Sequence, residues 1–305
     1  MTALYFTQLL NGIQLGVLLF LLAAGLTLVF GIMNFVNLAH GSLYMVGAYV
    51  AAASLSAGAP FWAAGIVAVL AAAAVGFALE RFALSKLYAR DHLYQVLATF
   101  GLILFFNEAV RYIWGASALF MQVPDALNGT VELAGIIYPE YRLAIIAVGL
   151  SVGGLLYLLI HKTRIGMLIR AGASNASIVA ALGVNITLLN TAVFALGAGL
   201  AGLAGFMVGP IFSIQPGMGE NVLILTLVVI VTGGIGSIRG AFLGAIIVGI
   251  VDTMGRTFLP LWFAHFLDLN VAQAAGPAVA SMLVYLLMAV VLALRPQGLF
   301  PVRHG

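Results

Sequence analysis

Apolar stretches of about twenty residues recur from one end of this chain to the other, and that feature decides the class of fold. About 20 apolar residues, rising 1.5 Å each in a helix, cross the roughly 30 Å hydrocarbon core of a bilayer. Of the 305 residues, 64% are hydrophobic and only 7% charged, against roughly 25% charged in an ordinary soluble domain. A water-soluble fold is ruled out. Runs bounded by charges and turn residues predict spans over 5–31, 37–56, 61–80, 93–114, 142–161, 188–209 and 277–295. Two shorter apolar pieces, 221–233 and 241–255, flank the run Gly233-Gly234-Ile235-Gly236-Ser237-Ile238-Arg239-Gly240. Each is too short to cross comfortably, which predicts tilted helices or a broken pair around an irregular turn. The fold expected is an all-α polytopic membrane protein, a single transmembrane domain over 1–305 with eight or nine transmembrane helices and a Gly-interrupted pair near the C-terminal third. The first run is read as a span rather than a cleaved signal, because no Lys or Arg precedes it and it continues to Gly31 without a cleavage site.

The net charge of +3 comes from 12 Lys+Arg against 9 Asp+Glu, and membrane orientation explains the surplus better than nucleic acid. With the N-terminus outside, Arg81, Lys86, Arg90, Lys162, Arg164, Arg170, Arg239, Arg295 and Arg303 fall on the cytoplasmic side, leaving Arg111, Arg142 and Arg256 outside. This positive-inside bias predicts a cytoplasmic C-terminus, an external 115–141 segment and a cytoplasmic 162–187 segment. Every acid is expected near a span end. Glu108, three residues before Arg111, is expected to pair with it on one helix face. The lack of a central carboxylate argues against an ion-coupled secondary transporter, the main rival from another class.

Catalytic motifs fail on inspection. With no cysteine, thiolate nucleophiles and Cys metal sites are excluded. Gly149-Leu150-Ser151-Val152-Gly153 matches GxSxG but lies inside a predicted span, without the strand and strained turn a nucleophile elbow needs. An intramembrane hydrolase would have to pair Ser151 with His40. Gly197-Ala198-Gly199-Leu200-Ala201-Gly202 matches GxGxxG without a preceding strand, and with Gly205 and Gly209 reads as a small-residue seam for helix packing. Neither Lys86 nor Lys162 follows a glycine, so there is no Walker A loop, and no histidine begins an HExxH zinc motif. No metal site is expected.

The segment from Gly31 to Gly41 interrupts two apolar runs with Asn34, Asn37 and His40. Such groups need protein or water partners in a low-dielectric setting. Either Asn37 and His40 cap and pack the start of the second span, or they line a translocation path.

Gly25-Leu26-Thr27-Leu28-Val29-Phe30-Gly31 followed by Asn37-Leu38-Ala39-His40-Gly41 resembles the signature of permease subunits of branched-chain amino acid ABC importers, the LivH type. Three further blocks fit in order: Thr99-Phe100-Gly101-Leu102, then Gly233-Gly234-Ile235-Gly236-Ser237 with Gly240-Ala241, then Arg295-Pro296-Gln297-Gly298-Leu299-Phe300. Together they cover nearly the whole chain. Asn34, Asn37, His40, Thr99, Gly234 and Gly236 are the candidate path residues, the glycine turn lying against the path or a partner permease.

The segment Thr163-Arg164-Ile165-Gly166 to Asn185 looks like the family's cytoplasmic coupling loop. A short helix over 174–183, capped by Ser174 or Asn175 and ended by Gly183, is expected to gather Ile178, Val179 and Leu182 on one face for a partner ATPase, with Arg164 and Arg170 nearby. The loop lacks the acid the family commonly carries, and Pro301 stands where the family usually has Gly. The resemblance implies a bacterial inner-membrane transport subunit, not an enzyme, with no cofactor of its own. ATP and Mg would be bound by two cytoplasmic ABC ATPases, and a second related permease and a periplasmic substrate-binding protein would complete the importer. Relatives of this type also carry urea, short amides or aromatic acids.

Overall fold

The computed structural model describes residues 2–35, 37–133 and 135–300; Pro301 and Arg303, named above, lie outside the described residues. In chain order the elements are α1 (Thr2–Met33), α2 (His40–Ser56), α3 (Phe61–Phe82), α4 (His92–Trp114), β1 (Thr130–Leu133), β2 (Ile136–Pro139), α5 (Glu140–Lys162), α6 (Arg164–Ala181), α7 (Ile186–Val208), α8 (Met218–Gly233), α9 (Ile238–Phe263) and α10 (Leu269–Leu294). Seven of them, α1, α3, α4, α5, α7, α9 and α10, are long and apolar enough to cross a membrane, and α8 is a shorter apolar helix of 16 residues.

The second short apolar piece outruns its apolar stretch. α9 is 26 residues long and passes through Asp252, Arg256 and Pro260. The apolar piece 241–255 runs past Asp252 and stops before Arg256, yet at i,i+4 the two charges meet on one face: Arg256 Nε donates to both Asp252 carboxylate oxygens, at 3.0 and 2.8 Å. Arg256 Nη2 also donates to Ser281 Oγ of α10 at 3.0 Å. Asp252 is buried and lies about 21 Å along α9 from Ile238 at 1.5 Å per residue. The expectation that every acid sits near a span end is therefore wrong for Asp252. What argues against a proton- or ion-carrying role is its pairing with Arg256, not its absence. Glu108 and Arg111 form the expected exposed pair at 2.8 Å.

The described chain divides into two compact units. One comprises Leu21–Gln122 and Val152–Ile224 and is built around α7, which α2 and α3 flank. The small-residue seam of α7 makes this possible. A Cβ on Gly47 of α2 would collide with the backbone of Gly202, and one on Gly202 would come within 2.5 Å of the Ala72 Cβ of α3. Close backbone approach of this kind is how helices associate where lipid offers no hydrophobic drive.

The other unit comprises residues up to Phe20, Val123–Ser151 and those from Leu225 on. In it the first part of α1 lies against α9, where a Cβ on Gly16 would come 2.8 Å from the Ala245 carbonyl oxygen. It also holds the β1–β2 hairpin, antiparallel with Thr130 opposite Pro139 and Leu133 opposite Ile136, in a segment expected only as a loop. Tyr138 of β2 donates to Asn11 Oδ1 of α1 at 3.1 Å, and Arg142 donates to the same oxygen. Burial raises the Tyr138 phenol above its usual range, with Arg142 acting in the opposite direction.

Candidate functional site

Three regions carry the polar and irregular backbone of this apolar chain. The first is the break between α1 and α2. Asn34 closes α1 by donating its N–H to the Phe30 carbonyl at 2.9 Å and adopts a left-handed φ of +49° at the surface. Asn37 is buried, and its Oδ1 accepts from Ala39 N at 3.0 Å, turning the chain into α2. Its amide nitrogen has no partner, nor does the hydroxyl of Thr27; the ring of fully buried His40 lies against the Leu22 backbone of α1. The His40 ring is accommodated because α1 carries glycine beside it: a Cβ on Gly25 would lie 3.0 Å from Nε2 and 2.6 Å from the Gly197 carbonyl oxygen of α7. Leaving a buried donor or acceptor unpaired costs about 1–3 kcal/mol. Such groups in one helix junction mark a place where the sequence retains polarity at a cost to stability.

Of the other expected path residues, Thr99 is buried on α4 and its hydroxyl hydrogen-bonds back to its own helix, 2.9 Å from the Gln95 carbonyl. Gly234 and Gly236 belong to the other compact unit. There the glycine turn has an occupant from its own chain. Leu299 N donates to the Thr232 carbonyl and Phe300 N to that of Gly233, each at 2.9 Å. Gly234, at φ +109°, would place a Cβ 3.1 Å from the carbonyl oxygens of Gln297 and Phe300. The turn was expected against the path or a partner; the contact that requires glycine at 234 is with the chain's own C-terminal block. Two motifs read separately in the sequence form one structure.

The second region is α6. Thr163 Oγ1 caps its start by accepting from Gly166 N at 3.1 Å, and Arg170 donates to the Ile160 carbonyl at the end of α5. Asn175 leaves helical geometry at φ −154°, ψ 93°, and its Oδ1 accepts from Ile178 N at 3.0 Å. It thereby starts a second short helix within α6, which Gly183 terminates at φ +86°. Ile178 and Leu182 are 59% and 77% exposed on that piece, but Val179 is 6% exposed. Val179 thus faces inward, a correction to the expected three-residue face: the three residues share an arc of about 100°, and the edge that carries Val179 is covered while the edge that carries Ile178 and Leu182 is not. Arg164 and Gly183 are exposed.

The third region was not anticipated. Glu80 of α3 is fully buried and accepts from Tyr88 Oη at 2.9 Å and from Thr191 Oγ1 of α7. Burial first, and then the neighbouring Glu80, push the Tyr88 phenol well above its usual range, so that it stays a donor. In the sequence Glu80 adjoins Arg81 at a span end and reads as an interfacial charge, so nothing there signals its burial.

A family model described as branched-chain amino acid transport system, permease component, matches residues 8–292. The chain belongs to this family. Among its relatives, the permease is 28% identical over 310 residues to the high-affinity branched-chain amino acid transport system permease protein BraD of Pseudomonas aeruginosa, covering 97% of this chain and 95% of that one. It is 30% identical over 280 residues to the corresponding LivH protein of Escherichia coli K12, covering 84% and 88%. A probable LivH permease of Methanocaldococcus jannaschii is 30% identical over 254 residues, covering 79% and 78%. No solved structure matches the permease.

Proposed function

We propose that this permease is one of two related membrane subunits of an ATP-driven importer for branched-chain amino acids, lying in a bacterial inner membrane with its N-terminus outside and C-terminus in the cytoplasm. ATP and Mg are bound by two cytoplasmic ATPases, and a periplasmic binding protein delivers the substrate. The observation that carries the reading is α6. A permease with no phosphate-binding loop must receive the ATPase's motion mechanically, and α6 presents a short, separately capped helix with Ile178 and Leu182 outward. An apolar face of this size suits a groove in a partner. Urea, short amides and aromatic acids are the alternative cargoes within the same family. The break at Asn37 and His40 is the proposed polar element of the path.

Leu182→Asp tests the reading. An interface anchor of this kind is worth about 2 kcal/mol or more on truncation, so the variant should insert normally yet lose co-purifying ATPases and uptake. Normal ATPase retention and normal leucine uptake into vesicles by Leu182→Asp would remove α6 as the coupling element.

A further inference from the structure

Glu80 sits at the end of α3 with no access to solvent and, among the described residues, no cation paired with it. Its partners are two hydroxyls from different elements. Tyr88 lies on the turn between α3 and α4; it also places its hydroxyl 3.2 Å from Met33 Sδ at the end of α1 and its ring edge-on to Phe35 at 5.4 Å. Thr191 lies on the second turn of α7. The same ends of α1 and α7 carry the residues on which α6 rests. A Cβ on Gly172 of α6 would meet Leu189 of α7 at 3.3 Å and Ile32 of α1 at 3.9 Å. Leu189 and Thr191 lie within the first two turns of α7 but about 200° apart around it, so α6 and Glu80 engage different sides of one helix end. A buried carboxyl without a cation is a costly way to fill space, since an apolar side chain of similar size would pack there without desolvation. What a carboxyl adds is two acceptors that join two elements at once.

We infer that Glu80 is a positioning residue for coupling: through Tyr88 and Thr191 it holds the ends of α1, α3 and α7 as one rigid seat for α6, so that displacement of α6 moves α7 instead of being absorbed. The inference rests on the reading that α6 receives an ATPase. It goes beyond that reading in assigning the transmission to a specific buried cluster.

The test uses the complete importer in proteoliposomes, with uptake and ATP hydrolysis measured together. Glu80→Leu keeps the volume and removes both acceptors. The triple variant Glu80→Leu, Tyr88→Phe, Thr191→Val also removes the hydroxyls that would otherwise be orphaned, and so guards against misfolding. Both should insert, bind the ATPases and hydrolyse ATP, while uptake per ATP falls about tenfold, the scale of one buried hydrogen bond. Glu80→Gln keeps one acceptor for Tyr88 and gains a donor to Thr191, and should stay within about twofold of the parent. Since the chain has no cysteine, a Gly172→Cys, Leu189→Cys pair reports the seat directly, and its disulfide yield should drop in the Glu80→Leu background. A triple variant with the parent's uptake per ATP and an unchanged disulfide yield overturns the inference, as does a Glu80→Gln variant as uncoupled as Glu80→Leu. Retention of ATPases by Leu182→Asp defeats the α6 reading instead; loss of ATPases in Leu182→Asp with a fully coupled triple variant defeats this inference alone.

Discussion

Gly25 and Gly197 face each other where α1 meets α7, and Gly25→Ala tests how tight that contact is. The added Cβ would lie 2.6 Å from the Gly197 carbonyl oxygen, 2.9 Å from its Cα and 3.0 Å from His40 Nε2. Non-bonded carbon atoms rest about 3.5–4.0 Å apart, so α1 would have to move by about 0.5–1 Å against backbone rather than against a flexible side chain. Overpacking of this kind costs about 1–3 kcal/mol. The helical preference of Ala over Gly returns about 1 kcal/mol, leaving a net loss of up to about 2 kcal/mol. Gly199, two residues beyond Gly197 on α7, supplies the control. A Cβ there meets Val69 Cγ1 at 3.5 Å and Ala73 Cβ at 3.6 Å, ordinary contact distances. Gly199→Ala should therefore be neutral or more stable by up to about 1 kcal/mol. The apparent Tm of the detergent-purified permease, followed by tryptophan fluorescence, reads both. At about 2–4 °C per kcal/mol, Gly25→Ala should melt lower by up to roughly 8 °C, while Gly199→Ala holds or rises. A Gly25→Ala protein as stable as Gly199→Ala would show that the α1–α7 contact is not limiting and refute the argument.

Two further outcomes are expected. With no native cysteine, Asn128→Cys should label from outside intact cells and Ser174→Cys only after the membrane is opened, and the reverse pattern inverts the orientation. Arg256→Leu strands buried Asp252 and, with the Arg256 side chain itself 45% exposed, should cost about 1–3 kcal/mol, whereas Asp252→Leu with Arg256→Leu together should recover most of that loss; equal losses in apparent Tm would mean that the pair contributes nothing as a pair.

The helices were legible wherever a long apolar run decided the matter alone. All the apolar runs from 5–31 to 277–295 are helical because bilayer-length apolar segments have few other ways to satisfy their backbone. α9 was cut short because the run was ended before Arg256, and the sequence does not say that Asp252 and Arg256 will pair on one face and let the helix continue to Phe263. Capping was readable at Asn175 and Gly183, since side-chain acceptors and positive φ are local properties. Val179 shares an arc of about 100° with Ile178 and Leu182, and only the contacts made by the edge that carries it, which the sequence does not show, decide that it is buried. The Glu80 cluster and the seating of Gln297–Phe300 on the glycine turn were out of reach, because both depend on contacts between residues many tens of positions apart. In the Asn37–His40 break the polar residues were visible, but not that Asn37 divides its amide between a turn and an unpaired nitrogen.

The hydrogen bonds from Leu299 and Phe300 to Thr232 and Gly233 impose an order on biosynthesis. They bracket the whole of α9 and α10, so the α8–α9 corner stays open while those two helices are being translated and inserted. Its carbonyls find their final partners only when the chain beyond Leu294 has emerged on the same side. The glycine corner thus locks only after α10 has been translated, and a nascent chain stalled before residue 299 would leave those two carbonyls without these partners. A reporter fused directly after Phe300 would compete with that closing step, whereas one joined through a flexible spacer would not.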